Sequence, residues 1–149
     1  MSIYITKNFK YSEFACPHCG KDRPIDPHFI FLLQSLRDKL NQLIYITKGG
    51  GLRCSNYNKA IGGYFNSAHL FGRGADIRVA GMDIVTLAIE ARDIGFSRIG
   101  LYPYSSFVHL DTFRPVPSAS WIRERTGNYI YFRNLEDAIK YLNEGGENK

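Results

Sequence analysis

The stretch Ser67-Ala68-His69-Leu70-Phe71-Gly72-Arg73-Gly74-Ala75-Asp76-Ile77-Arg78-Val79 changes character half-way. Up to Gly74 it is glycine-punctuated and irregular, and reads as a loop. From Ala75 it alternates. Ala75, Ile77 and Val79 face one way, Asp76 and Arg78 the other, the period of a half-buried strand. His69 therefore lies in a loop, and Asp76 opens the next strand on its polar face.

Downstream, Phe107-Val108-His109-Leu110-Asp111 reads as a second strand with His109 and Asp111 on one face. If these strands are neighbours, two imidazoles and one carboxylate converge. Two His and one carboxylate, with a fourth position left for water, form a catalytic zinc arrangement. A single His on a strand is more often a hydrogen-bonded structural residue. Spacing alone leaves both readings open.

Working outward, Asp26-Pro27 suits a helix start, Asp as cap and Pro in the first turn. Phe29, Leu32, Leu33, Leu36 and Leu40 then recur at helical spacing to about Asn41. Leu43 to Thr47 reads as a strand, and Gly49-Gly50-Gly51 as a break. Ser55 is the expected cap of a short helix through Ala60, closed by Gly62-Gly63. Asp83 to Arg92 predicts a helix ended by Gly95. Strands follow at Arg98 to Tyr102, Phe107 to Asp111 and Tyr129 to Phe132, then a helix from Leu135 to Leu142 capped by Asn134. Crossover helices have little room between the later strands. The expected class is therefore α+β, with a mainly antiparallel central sheet flanked by helices.

A chain of 149 residues predicts one domain, 1–149, with its core at about 9–111 and a C-terminal strand and helix in 112–149. Disorder is expected only at Asn143 to Lys149. The formal charge of +5 suits an anionic partner, yet Lys and Arg are scattered, so no nucleic-acid partner is expected. The N-terminus lacks the apolar run of a signal peptide and nothing later predicts a membrane span. Synthesis in a cytoplasm is the expectation, with a monomer as the state. Three cysteines are too few for a disulfide framework. Cys16-Pro17-His18-Cys19 has zinc-ribbon spacing, and only Cys54 or His18 adds to it. Reduced, partly buried thiols are the favoured reading, with a local metal or redox site as the alternative.

Ser67 to Asp76 resembles the Ser-x-His-x-x-Gly-x-Ala-x-Asp motif of the zinc D-Ala-D-Ala carboxypeptidase and L-alanyl-D-glutamate peptidase (LAS) metallopeptidases. Gly74 replaces the family's Ala, a small-for-small change. Glu13-Phe14-Ala15-Cys16, Arg53-Cys54, Asn58-Lys59-Ala60-Ile61-Gly62-Gly63, Gly100-Leu101-Tyr102-Pro103 and Phe107 to Asp111 are similar, in order, to its short bacterial and phage branch. The resemblance covers roughly Phe9 to Asp111, and the tail from Thr112 adds nothing to it.

This resemblance implies a hedgehog/D-Ala-D-Ala peptidase-like fold, Zn2+ as cofactor, and peptidoglycan stem peptides as substrate. It implies His69, Asp76 and His109 as zinc ligands. It implies Arg53 as the cation that binds a substrate carboxylate or polarises a carbonyl, a task suited to a planar guanidinium. Ser67 is the candidate for a substrate hydrogen bond or for orienting its loop. Where the family often carries a basic Asp or Glu, three residues before the last ligand, this chain has Ser106. Asp111 is the expected catalytic substitute, with fixing a ligand histidine as its other role. Lys48-Gly49-Gly50-Gly51-Leu52-Arg53 is two residues longer than the family's usual Ser-Gly-Tyr-Arg, which is expected to shift Arg53. A wall-degrading endolysin or virion-borne enzyme is the implied setting. The rival is a non-catalytic zinc-containing wall-binding module of the same fold.

Overall fold

The computed structural model describes residues 3–112 and 118–145. Four helices pack on a six-stranded sheet: α1 (Pro27–Leu40), β1 (Tyr45–Ile46), α2 (Ser55–Ala60), β2 (Gly74–Arg78), α3 (Ile84–Ile94), β3 (Arg98–Tyr102), β4 (Phe107–Asp111), β5 (Ala119–Arg123), β6 (Tyr129–Phe132) and α4 (Leu135–Asn143). The sheet order is β1-β2-β4-β3-β5-β6, antiparallel except for the β3–β5 pair. The α+β expectation holds. No helix among the described residues is long and apolar enough to cross a membrane.

The sheet has two chemically distinct faces because its strands alternate. Register aligns Ala75, Leu110 and Ile99 in one row and Ile77, Val108, Leu101 and Ile122 in another. Both rows are buried against Phe29, Leu33 and Leu36 of α1, Leu87, Ala88 and Ala91 of α3, and Leu135 and Ala138 of α4. β5 and α4 supply part of this hydrophobic core through Ile122, Leu135 and Ala138. On the other face, register places Asp76 opposite His109, His109 opposite Gly100, Gly100 opposite Trp121, and Trp121 opposite Tyr131. This row crosses five strands and forms the floor of the candidate site.

Local chemistry explains most of the ends. The Asp26 carboxylate accepts from Phe29 N–H at 3.0 Å, and Asn41 closes α1 in the left-handed region. Asp83 and Asn134 cap α3 and α4 in the same way. At α2 the cap is Cys54 rather than the expected Ser55: its sulfur accepts from Tyr57 N–H at 3.4 Å. The loop before β2 contains a 3-10 turn, Ala68–Phe71, whose cap is Ser67. The expected disorder over 146–149 lies outside the described residues, and Asn143 belongs to α4.

The strand Ala119–Arg123 is absent from the sequence reading. Ala119-Ser120-Trp121-Ile122-Arg123 is short and has one strongly apolar inward residue, Ile122. Its second inward residue is Ser120, buried although polar. Tertiary pairing with β3, not local pattern, makes it a strand.

Candidate metal centre

Three elements deliver the ligand-type residues. The 3-10 turn carries His69, β2 carries Asp76 and β4 carries His109. One nitrogen of each imidazole and one oxygen of the carboxylate all lie within 4.8 Å of one another. His109 Nδ1 is 2.8 Å from Asp76 Oδ1, and His69 Nε2 is 3.4 Å from the same oxygen. All three residues are buried, with 3 to 6% of their surface exposed, so desolvation forces each polar atom to find a partner.

Each outward-facing atom has one. His69 Nδ1 lies 2.9 Å from the Gly51 carbonyl, which accepts from it as the N–H nitrogen and turns Nε2 inward. His109 Nε2 lies 2.6 Å from Asp111 Oδ2, which as the N–H acceptor turns Nδ1 inward. Asp76 Oδ2 accepts from Arg53 Nη2 at 3.3 Å, leaving Oδ1 inward. Two imidazole nitrogens and one carboxylate oxygen face a common point, each held by a partner behind it. This arrangement can hold a divalent transition metal.

The glycine run read as a break is what builds this support. Gly49 O accepts from Arg53 Nε at 2.8 Å, Gly50 O accepts from Asp76 N–H at 2.9 Å, and Gly51 O faces His69. A Cβ on Gly50 would sit 2.2 Å from Thr47 Oγ1, and one on Gly51 would sit 2.6 Å from Phe14 Cα. Only glycine lets this segment run so close to β2 and the Phe14 backbone.

The first glycine of this run, Gly49, helps to fix Arg53 in place. Its guanidinium reaches Gly49 O, Asn58 Oδ1 at 3.1 Å and Asp76. These contacts take three of its five N–H donors, leaving two for a ligand. Ser67 Oγ accepts from His69 N–H at 3.2 Å, so it orients the loop that carries His69. Ser106 lies on the exposed β3–β4 turn with φ 56° and lines a separate cavity with Tyr45, Thr47 and Lys48. It takes no part in this site.

Charge follows geometry. Burial would raise the Asp76 carboxyl, but His69 and His109 outweigh it and hold Asp76 well below the ordinary carboxylate range. Burial lowers His69 and prevails over the attraction of Asp76. Burial also pushes His109 down, but the hydrogen bonds it donates to Asp111 and Asp76 win and raise it to about 9. Arg98 Nε lies 3.2 Å from Asp111 Oδ1, so that buried carboxylate has a cation on one oxygen and an imidazole on the other.

The cluster opens into a cleft of about 750 Å³. Arg53, Ser67 and Tyr64 line one side. Tyr102, Phe107, Trp121, Tyr129 and Tyr131 line the other. Tyr102 and Phe107 stack at 4.3 Å, and Trp121 lies 5.3 Å from the His109 ring. Gly100 makes that placement possible, because a Cβ there would meet the Trp121 indole at 2.4 Å. Sequence reading missed this aromatic wall, since most of it lies beyond Thr112.

Residues 7–111 match the model of the peptidase M15 family. The chain belongs to the M15 peptidase family. The resemblance drawn from Ser67 to Asp76 and from Phe107 to Asp111 is thereby borne out. The chain is 36% identical over 47 residues to the probable peptidoglycan L,D-endopeptidase MepK of Haemophilus influenzae, covering 32% of this chain and 25% of that one. It is 39% identical over 54 residues to the zinc D-Ala-D-Ala carboxypeptidase of Streptomyces albus G, covering 36% of this chain and 21% of that one. The chain thus matches a quarter or less of either relative's length. Its matched segment ends at residue 111, where β4 ends, so the β5–β6 wall of the cleft lies outside the M15 match.

One departure from the motif is not the neutral exchange that residue size predicts. A Cβ at Gly74 would lie 2.9 Å from Asp111 Cβ, 3.0 Å from Ala68 Cβ and 3.3 Å from His109 Cε1. Gly74→Ala, which restores the motif's usual residue, is expected to destabilise the chain by about 1–3 kcal/mol through overpacking. Urea unfolding of the two proteins checks this, and an unchanged midpoint would show that β2 and β4 separate freely.

Proposed function

We propose that the chain is a zinc-dependent peptidase that hydrolyses an amide bond in peptidoglycan stem peptides, with His69, Asp76 and His109 holding the metal. One observation carries this reading: three buried donors face one point and each is braced from behind by Gly51, Arg53 or Asp111. Nitrogen and oxygen donors in a three-residue set that leaves a position open suit catalytic zinc. Zinc in such a set supplies Lewis acidity and brings the pKa of water towards neutrality, roughly 7 in well-studied enzymes.

The protein's own residues do the rest. Arg53 has two N–H donors for a substrate carboxylate or carbonyl, at the edge of the same cleft. The aromatic wall offers flat apolar surface to the aliphatic stems of a peptide. Burial of the ligand cluster strengthens each charge interaction around the scissile bond. Asp111 acts by holding His109 in the tautomer that turns Nδ1 inward, since both its oxygens are engaged. The +5 charge supports an anionic wall as the surface approached. The similarity to a short bacterial and phage branch supports an endolysin as the setting. Incubating zinc-loaded protein with purified peptidoglycan, then resolving the muropeptides by mass spectrometry, tests the proposal and identifies the bond. New amine termini are expected. Their absence at full zinc loading would refute it.

A non-catalytic wall-binding module is the second reading, and one observation favours it. Among the described lining residues the only carboxylates are Asp76 and Asp111, and both are engaged. That reading predicts sedimentation with peptidoglycan and no amine release from the same incubation.

Zinc binding is expected to depend on pH with a definite sign. In the metal-free chain His109 is protonated up to about 9, and that proton occupies the nitrogen aimed at Asp76. The metal must displace it, so apparent affinity should fall about tenfold per pH unit below about 9 and level off above. By the same linkage, the His109 contribution to metal-free stability is fully present below its unfolded value near 6.5. It is lost as pH rises through about 9. Competition against a chromophoric chelator across that window measures the slope. A flat profile would contradict the exchange of proton for metal.

A further inference from the structure

A second cluster lies away from the cleft. Cys16 is buried, Cys54 half-buried and Cys19 exposed, and their three sulfurs fall within 4.8 Å of one another. His18 Nδ1 approaches Cys54 Sγ to 3.3 Å. The Cys16–Lys21 turn is wound tightly. Gly20 N–H donates to Cys16 O and Cys16 N–H to Lys21 O, each at 2.8 Å, with Gly20 at φ 77°. Two sulfurs also accept backbone N–H bonds, Cys16 from Cys54 and Cys54 from Tyr57, each at 3.4 Å. Such bonds favour the thiolate over the thiol.

We infer that Cys16, Cys19 and Cys54, with His18 as fourth donor, form a closed structural zinc site separate from the His69–Asp76–His109 cluster. Three sulfurs and one imidazole satisfy a tetrahedral zinc with no position left for water, the pattern of structural rather than catalytic sites. Soft thiolates select zinc over the harder divalent ions. A disulfide would use two of the sulfurs and strand the third, whereas one ion uses all three. The thiols release their protons to solvent as the ion enters.

The position gives the site a task. Cys54 follows Arg53 directly and caps α2, which carries Asn58. Arg53 and Asn58 are hydrogen-bonded, and Arg53 braces Asp76. An ion at the cysteines would therefore pin the N-terminal turn to the segment that holds one wall of the cleft. It would do for this chain what further core burial does elsewhere.

Cobalt substitution tests this without using activity. The His69–Asp76–His109 cluster contains no sulfur, so a near-ultraviolet thiolate-to-cobalt charge-transfer band can arise only at the cysteines. We expect that band in anaerobically purified wild-type protein loaded with Co2+, and its loss in Cys19→Ser, whose exposed side chain is the least disruptive to replace. Elemental analysis should give two zinc ions per wild-type chain and one in Cys19→Ser. One zinc should also remain in a His69→Ala/His109→Ala double variant. If wild-type protein shows no thiolate band, or its three thiols react freely with a thiol reagent while one zinc stays bound, the inference is wrong. That last outcome would leave the His69–Asp76–His109 reading intact. The converse, one zinc bound through sulfur alone, would overturn that reading and uphold this one.

Discussion

His109→Ala should remove zinc from the cleft and peptide hydrolysis together while leaving a folded chain. His109 is the pivot of the cluster: Nδ1 lies 2.8 Å from Asp76 Oδ1, and Nε2 lies 2.6 Å from Asp111. With alanine there, two inward donors remain, too few for the three-ligand set of a catalytic zinc. Lewis acidity worth several kcal/mol disappears with the metal, a rate loss of about a thousandfold or more. The buried carboxylates limit the structural damage, because each keeps a cation: Arg53 for Asp76 and Arg98 for Asp111. Stability should fall, as expected when one member of a buried charged network is removed. Circular dichroism and a thermal melt report whether the fold persists. Elemental analysis reports the metal, and amine release from peptidoglycan reports the activity. Hydrolysis at the wild-type rate in the folded variant would remove His109 from the ligand set.

The sequence placed the candidate ligands on their elements for physical reasons, while their reading as a metal set came from the family resemblance. His69 and Asp76 flank a loop-to-strand change visible as a shift from glycine punctuation to alternation. His109 and Asp111 share a strand face by simple period-two geometry. The helices were legible for the same sort of reason, since Asp26, Asp83 and Asn134 cap where local hydrogen bonding predicts. What stayed hidden depends on tertiary approach. Gly49, Gly50 and Gly51 act through their carbonyls, which carry no side-chain signature, and read only as a break. Trp121 reaches the site because β5 pairs with β3 and Gly100 leaves room for the indole. A five-residue segment with a buried Ser120 does not announce that pairing. Gly74 looked interchangeable with Ala on size, because crowding by Asp111 and Ala68 is visible only once β2 and β4 lie side by side. The cleft was therefore half legible: its His and Asp cluster, with Arg53 and Asp111 beside it, was, and its glycine carbonyls and its aromatic wall were not.

Asp111→Asn separates the two roles that the sequence left open for that residue. If Asp111 carried the proton from water to the leaving amine, the amide would bind zinc normally and turn over slowly. A general base is worth about 10²–10⁴-fold, and added metal would not recover it. The geometry supports the other outcome. Asp111 Oδ2 faces the outer nitrogen of His109 and Oδ1 faces Arg98 Nε, so its charge is spent on orienting the ligand. Asparagine keeps an oxygen for His109 but loses the charge, and its NH2 group meets Arg98 donor to donor. Zinc affinity should drop about 10- to 100-fold, the usual effect of losing a ligand's partner. At saturating zinc, kcat should return to within a few-fold of wild type. The pH break in zinc binding should also move below about 9, because the Asp111 hydrogen bond is the largest influence raising His109 against its burial. Weaker competition from protons then offsets part of the loss near neutral pH, so affinities are best compared above the break. A slow enzyme with undiminished zinc affinity would return Asp111 to the proton-transfer role and make the Ser106 departure functionally neutral.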